Sequence, residues 1–388
     1  MTTSLWRGGR HRPLTRLMSP VLTGLLVAAT AVAAAGPAVA DGAGEPVWKA
    51  DGPPVTGRNV QTSKIVATGP DNAWAVHGFI TTIPADRLWQ WNGRSWAEHK
   101  FVGDDDELLV GALASTGPSD AWVLGSVNRV TGRTPLQYHW DGRAWSSVPF
   151  DKPEFWPKAA TALAPDDVWV VGSDQFESGP RNPAVVHWNG TAWRTTVLPG
   201  AADKATQLNA VHARGTNDIW VAGREADADN WTKSRLYIAH YDGVSWTRIP
   251  APPLAATTAA EATAVLGRAD SGEVFVGGHQ WPSGELPVYR SFVLRWNGSA
   301  WRTTFLPGEV NSPKLVFSGD ELWVGARGST AGLFRLNGSS WSRVAGPLPD
   351  TTLIESLSAV PGVPGGVWAG GLAGRSEAST SFVAHTIF

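Results

Sequence analysis

The stretch Ala184-Val-Val-His-Trp-Asn-Gly-Thr-Ala-Trp-Arg-Thr-Thr-Val-Leu-Pro199 holds two β-rich segments joined at Asn189-Gly190. Asn-Gly tolerates the two positive φ angles of a type I′ turn, so the pattern predicts a β-hairpin. The same hairpin recurs at Asn92-Gly93, Asp141-Gly142, Asp242-Gly243, Asn297-Gly298 and Asn337-Gly338. Each time a tryptophan stands three residues after the glycine: Trp96, Trp145, Trp193, Trp246, Trp301 and Trp341. The chain is therefore a repeat array.

A second motif precedes each hairpin, an apolar strand of the approximate form Trp-Val-x-Gly. It begins at Trp74, Trp122, Trp169, Trp220, Phe275, Trp323 and Trp368, with spacings of 48, 47, 51, 55, 48 and 45 residues. That period is the length of a four-stranded propeller blade. Seven such strands are followed by only six hairpin tryptophans, because the last repeat stops at Phe382-Val-Ala-His-Thr-Ile-Phe388, before any turn. At the other end, Pro46-Val-Trp-Lys-Ala-Asp-Gly-Pro-Pro54 reads as an outer strand with no hairpin in front of it. The expectation is an all-β, seven-bladed β-propeller with four-stranded blades, its ring closed by the N-terminal strand pairing with the C-terminal blade.

Composition agrees with one compact all-β domain: 17% of the 388 residues are charged, and there are 43 Gly, 28 Pro and 22 Trp. Arg7, Arg10, Arg12 and Arg16 precede an apolar run from Val21 to Ala35, and Ala38-Val39-Ala40 supplies small residues of the kind cut by a signal peptidase. Residues 1–40 thus read as a signal peptide and 41–388 as the propeller domain of a secreted, extracellular protein. The run is short, Ala-rich and followed by Gly-Pro, so no stable membrane anchor is expected after its removal. Losing it removes four Arg and no acid, which leaves 28 basic against 34 acidic residues and argues against a nucleic-acid partner. Cysteine is absent, so stability outside the cell must come from burial rather than disulfides.

The Trp-Val-x-Gly and Trp-Asx-Gly-x-x-Trp repeats resemble those of secreted bacterial β-propellers loosely related to kelch and galactose-oxidase-type repeats, and the resemblance spans nearly all of the mature chain. It implies the architecture. A copper-radical oxidase of the galactose oxidase type would need a Cys cross-linked to Tyr, so with no Cys present that activity does not carry over.

His139, His187, His240 and His385 occupy one register of the third strand, which Gln90, Arg295 and Arg335 fill in the other blades. Copies spread round a ring cannot converge on one substrate, and a buried polar side chain needs a partner. The expected partner is the residue two before the inner aromatic: Asn72, Asp120, Asp167, Asp218, Glu273 or Glu321.

Function is expected where the repeat breaks. The connections from second to third strand and from blade to blade are the long ones and share a face, so binding belongs there. Trp156, Trp231 and Trp281 fall outside the repeated tryptophan positions, in segments read as loops of that face in blades 3, 4 and 5. With Tyr289 they form a candidate ligand-binding set, since aromatic rings with a polar edge stack on sugars or anchor a protein partner. Glu225-Ala-Asp227-Ala-Asp229 puts three carboxylates at alternate positions, a candidate calcium site that lacks the Gly and distal Glu of an EF-hand loop; otherwise the segment is solvated acid, and no cofactor is implied. Three readings stand: a non-enzymatic module binding an extracellular glycan or protein, a carbohydrate-active hydrolase or lyase using loop carboxylates, and a structural surface scaffold.

Overall fold

The structure is a computed structural model that describes residues 45–53, 60–79, 86–102, 107–129, 132–150, 155–173, 183–200, 205–227, 230–254, 258–268, 270–282, 288–346, 353–373 and 380–386. Residues 1–44 form a separate unit outside the described residues, so the expected signal peptide lies there; the second unit is Glu45–Phe388. That second unit holds seven four-stranded antiparallel sheets, and within each the strands follow one another in chain order. The seventh is completed from the other end of the chain: Trp48–Ala50 pairs with Thr380–Thr386, with Trp48 opposite Thr386 and Ala50 opposite Ala384. Trp48 donates its indole N–H to the Ala345 carbonyl at 2.8 Å and packs beside Trp323 of blade 6. The chain is a seven-bladed β-propeller closed by its N-terminal strand, as the repeat count requires.

Blade 3 shows how the motif makes a sheet. Its strands run Trp156–Ala164, Asp167–Ser173, Pro183–Trp188 and Trp193–Thr196. Trp188 sits opposite Trp193 across the hairpin. Only the glycine of the Asn-Gly pair has a positive φ, 86° at Gly190, and the hairpin spans four residues instead of the expected two. The cause is the asparagine itself. Its Oδ1 accepts the N–H groups of Thr191 and Ala192 at 3.2 and 3.0 Å, a side-chain turn that wraps the two extra residues.

The inner aromatics are the core. Trp74, Trp122 and Trp368 are almost fully buried, and Trp169, Trp220, Phe275 and Trp323 nearly so. Burying an indole at about 25 cal/mol/Å² over roughly 150–250 Å² is worth about 4–6 kcal/mol before entropy. The hairpin tryptophans are only half-buried, because the outer strand is the rim of the ring. All but one of the apolar clusters mix two neighbouring blades, such as Trp74, Val76 and Leu88 with Leu113, Val123 and Leu136. Another joins the ends of the ring, setting Trp368 and Val383 against Ile65 and Trp91. A single blade could not hide its large residues, so the ring forms as a whole.

The glycine of Trp-Val-x-Gly has its own cause. Each inner strand carries a bulge near its start, as between Val110 and Ala112 opposite Gly125. The bulge turns the Leu109 carbonyl onto the space a side chain at Gly125 would fill.

Several segments expected as loops are strand. In blade 4 the second and third strands run Asp218–Asp227 and Asn230–Tyr241, so Glu225, Asp227 and Trp231 stand on an extended ladder. Trp281 belongs to Val274–Pro282, and Trp156 opens the inner strand of blade 3. Alternating residues in these stretches also satisfy a strand pattern, and cross-strand pairing continues wherever the partner chain is in reach.

Candidate functional site

The two faces of the ring are chemically different. On the face of the short turns the third-strand polar residue meets its expected partner: His139 Nε2 to Asp120 at 2.8 Å, His187 to Asp167 at 2.8 Å and His240 to Asp218 at 3.0 Å. Gln90 donates to Asn72, and Arg295 pairs with Glu273. Each imidazole also lies on the inner indole, with centroids 3.9 Å apart for His187 and Trp169. The blade-7 copy departs from this: His385 lies over Trp368 and faces Asp51 at 3.7 Å, since no acid precedes Trp368. These groups tie strands together.

On the opposite face, which carries the second-to-third and blade-to-blade connections, the side chains do not repeat. Trp281 and Tyr289 come together around His279. Their centroids are 5.4 Å apart for His279 and Trp281, 5.1 Å for His279 and Tyr289, and 6.0 Å for Trp281 and Tyr289. Trp281 and Tyr289 are half-buried, while His279 is 7% exposed. The Ser312 N–H donates to His279 Nδ1 at 3.3 Å from a bulge where Ser312 itself has φ 49°. Burial pushes the imidazole down to about 4, so at neutral pH it is an uncharged ring packed against both aromatics. Behind it, Arg224 bridges to Glu261 at 3.1 Å, and Asn209 donates to the same carboxylate at 2.8 Å.

Trp156 lies elsewhere on this face. It lines a cavity of about 260 Å³ with Lys64, Asp86, Leu109, Val110, Gly111, Pro157 and Lys158, where the inner strands of blades 1, 2 and 3 face the axis. The Lys158 ammonium stands 6.0 Å from the Trp156 ring centroid. Asp86 accepts the Val110 N–H at 2.6 Å; burial nevertheless raises its carboxyl to about 6. Burial also lowers the Lys64 ammonium to about 8, against the opposing pull of Asp86.

A second cavity, about 460 Å³, lies between blades 4 and 5 and is lined by Glu225, Ser234, Arg235, Arg248 and the Pro250–Leu254 segment. Glu225 is buried and bonded to Arg248 Nη2 at 2.5 Å. Of the candidate calcium set, Glu225 is thus engaged by an arginine, the Asp227 side chain and Asp229 lie outside the described residues, and so does the Trp231 side chain. Among the described residues no group of three metal-ligating side chains occurs.

The structure therefore joins Trp281 to Tyr289 and sets Trp156 apart in its own cavity. Lys64, Asp86, Lys158 and His279 escaped the sequence reading. The signal at Lys64 was a break in the repeat: it fills a register that Ala112, Ala159 and Ala210 occupy in blades 2, 3 and 4, and such a break stands out only once the strands are aligned.

Neither a protein-family model nor a curated protein matches the chain. Solved propellers do. YCF48 bound to a D1 peptide aligns with a TM-score of 0.57 at 12% identity, over 88% of this chain and 95% of that one. The β-propeller domain of the Trilobed protease from Pyrococcus furiosus gives 0.51 at 9% identity, over 84% and 95%. The GH74 xyloglucanase from Xanthomonas campestris gives 0.52 at 13%, over 87% of this chain and 55% of that one. At such identities the likeness is one of fold, the β-propeller.

Proposed function

We propose that this chain is an exported, non-enzymatic binding module that recognises an extracellular glycan or protein on the face of the long connections. The observation that carries the reading is the Trp281–Tyr289 pair, half-exposed and backed by a buried, uncharged His279. Rings kept partly exposed at such a cost in hydration are useful as a platform for a sugar face or an apolar anchor. What supports export is the arginine-led apolar segment at residues 7–40. The similar propellers include one bound to a peptide and one belonging to a xyloglucanase, so both kinds of partner suit the fold.

The hydrolase reading needs two carboxylates roughly 5–9.5 Å apart beside the substrate. Around the aromatic floor Glu261 is held by Arg224, and further round the axis Glu355 is held by Arg327 at 2.9 Å, which favours binding over hydrolysis. The test is a glycan and peptide array probed with the full chain, with product analysis of every bound glycan. Retention of an intact ligand is the expected result; release of cleaved sugar overturns the non-enzymatic reading.

A further inference from the structure

Lys64, Lys158 and Lys314 stand on the inner strands of blades 1, 3 and 6. The charges of Lys158 and Lys314 both bear on Lys64, and side chains from three non-adjacent blades can do so only at the axis. The carboxylates on the same wall are mostly spoken for: Glu261 pairs with Arg224 and Glu355 with Arg327. Among the described residues, that leaves Asp86 as the acid lining the cavity with Lys64 and Lys158. Like charges gathered in a poorly hydrated channel repel one another, and an anion entering from the loop face relieves the cost.

We propose that the cavity between Lys64, Asp86, Trp156 and Lys158 is a subsite for an acidic sugar, a uronate residue of an extracellular glycan. The assignment rests on the glycan side of the binding reading and gives it a ligand class. Three features of a uronate find counterparts. Its carboxylate meets the ammoniums of Lys64 and Lys158, its C–H face meets the Trp156 ring, and its hydroxyls meet the Asp86 carboxyl. A peptide carboxy terminus would use only the lysines, which is why the sugar is favoured. The cavity, about 260 Å³, admits a single residue at the end of a chain, not a long polymer.

The experiment is calorimetric titration of the full chain with trigalacturonate, with neutral galactotriose, and with one peptide bearing either a free or an amidated carboxy terminus. The acidic trimer should bind roughly tenfold or more tightly than the neutral one, and Lys64→Gln should remove about that factor, as charge-assisted hydrogen bonds are lost. Equal binding of the two trimers, or an unchanged affinity in Lys64→Gln, overturns the subsite. Binding of the free-carboxylate peptide without the uronate overturns its assignment to a sugar.

Should Lys64→Gln fail to fold, the natural chain still decides. Affinity for the acidic trimer should fall as pH rises from about 7 to about 9, through the Lys64 value of about 8. Asp86 is already ionised over that window, and among the described residues the other charged groups facing the axis are Lys158, Lys314, Arg224, Arg327, Glu261 and Glu355. A flat profile overturns the proposal. A ligand lost in Trp281→Ala but indifferent to Lys64→Gln leaves the binding face standing and removes only this subsite.

Discussion

The face of short turns and the face of long connections are made by the same seven repeats, but only the first keeps the repeat in its side chains. There, an acid, a histidine and an indole recur with hydrogen bonds of 2.8, 2.8 and 3.0 Å in blades 2, 3 and 4. On the opposite face the equivalent ends of the strands carry His77 in blade 1, His279 and Trp281 in blade 5 and Lys158 in blade 3. Near-sevenfold symmetry serves closure, because every interface must satisfy the same packing. Recognition of one ligand requires that symmetry to be broken, so the irregular face is where a partner can be told from others.

The comparison breaks most visibly if a repeated indole proves dispensable. Trp220 is buried against Ala222, Ile238 and Val276 across the interface of blades 4 and 5, and its N–H donates to Asp218 at 2.9 Å. Trp220→Ala should cost about 3–5 kcal/mol in chemical denaturation, from lost transfer energy plus a cavity. A loss below about 1 kcal/mol would mean that the blades are not held by these side chains.

Histidines sharpen the contrast. Those of the turn face in blades 2, 3 and 4 donate to carboxylates, whereas among the described residues no carboxylate is bonded to the buried His77 and His279 near the loop face. His77 has Thr62 and Ser381 as neutral partners, at 3.2 Å each. Burial lowers both imidazoles to about 4 from an unfolded value of 6.5, and His212 likewise. Between those values the unfolded chain binds more protons than the folded one, so stability is full above about pH 6.5 and drains away as pH falls toward 4. Asp86, raised to about 6, works the other way: its contribution is present at low pH and is lost as pH rises through 6. The histidines outnumber it, so the net change from pH 6.5 to 5 should be a loss of about 3–4 kcal/mol. Denaturation midpoints across that range check the sign, and His77→Gln with His279→Gln should flatten the slope; an unchanged slope places the acid-sensitive groups elsewhere.

How much of this was legible follows the same division. The Asn-Gly turns and the Trp-Val-x-Gly strands gave the blade count and the closing role of Trp48, because their spacing is dictated by backbone pairing that repeats seven times. The acid-to-histidine bonds were legible for the same reason. The strand extensions at Glu225–Asp227 and around Trp231 were not, since alternation there suits a loop or a ladder and only the partner strand decides. Lys64, Asp86 and Lys158 were invisible as a group because blades 1, 2 and 3 meet at the axis through closure, not through any local pattern. Trp281 and Tyr289 were picked out as breaks in the tryptophan repeat and do come together, whereas His279 beside them was missed because a lone histidine carries no spacing signal.

The smallest expected effect on stability is at Trp281, and it decides whether the irregular face is a surface or merely packing. Its ring is half-buried, touching His279 and Tyr289 but joined to no apolar cluster between blades. Truncation forfeits part of one indole's burial and a ring pair worth about 0.5–1.5 kcal/mol, with no sealed cavity left behind. Trp281→Ala should therefore cost less than about 1.5 kcal/mol, well below Trp220→Ala, while weakening a bound glycan or protein by roughly tenfold or more, as loss of an aromatic anchor does. Both quantities come from one preparation, by denaturation and by titration with whichever partner the array retains. Equal destabilisation in the two variants would make the Trp281 cluster another piece of the ring, and an untouched affinity would move the binding face away from blade 5.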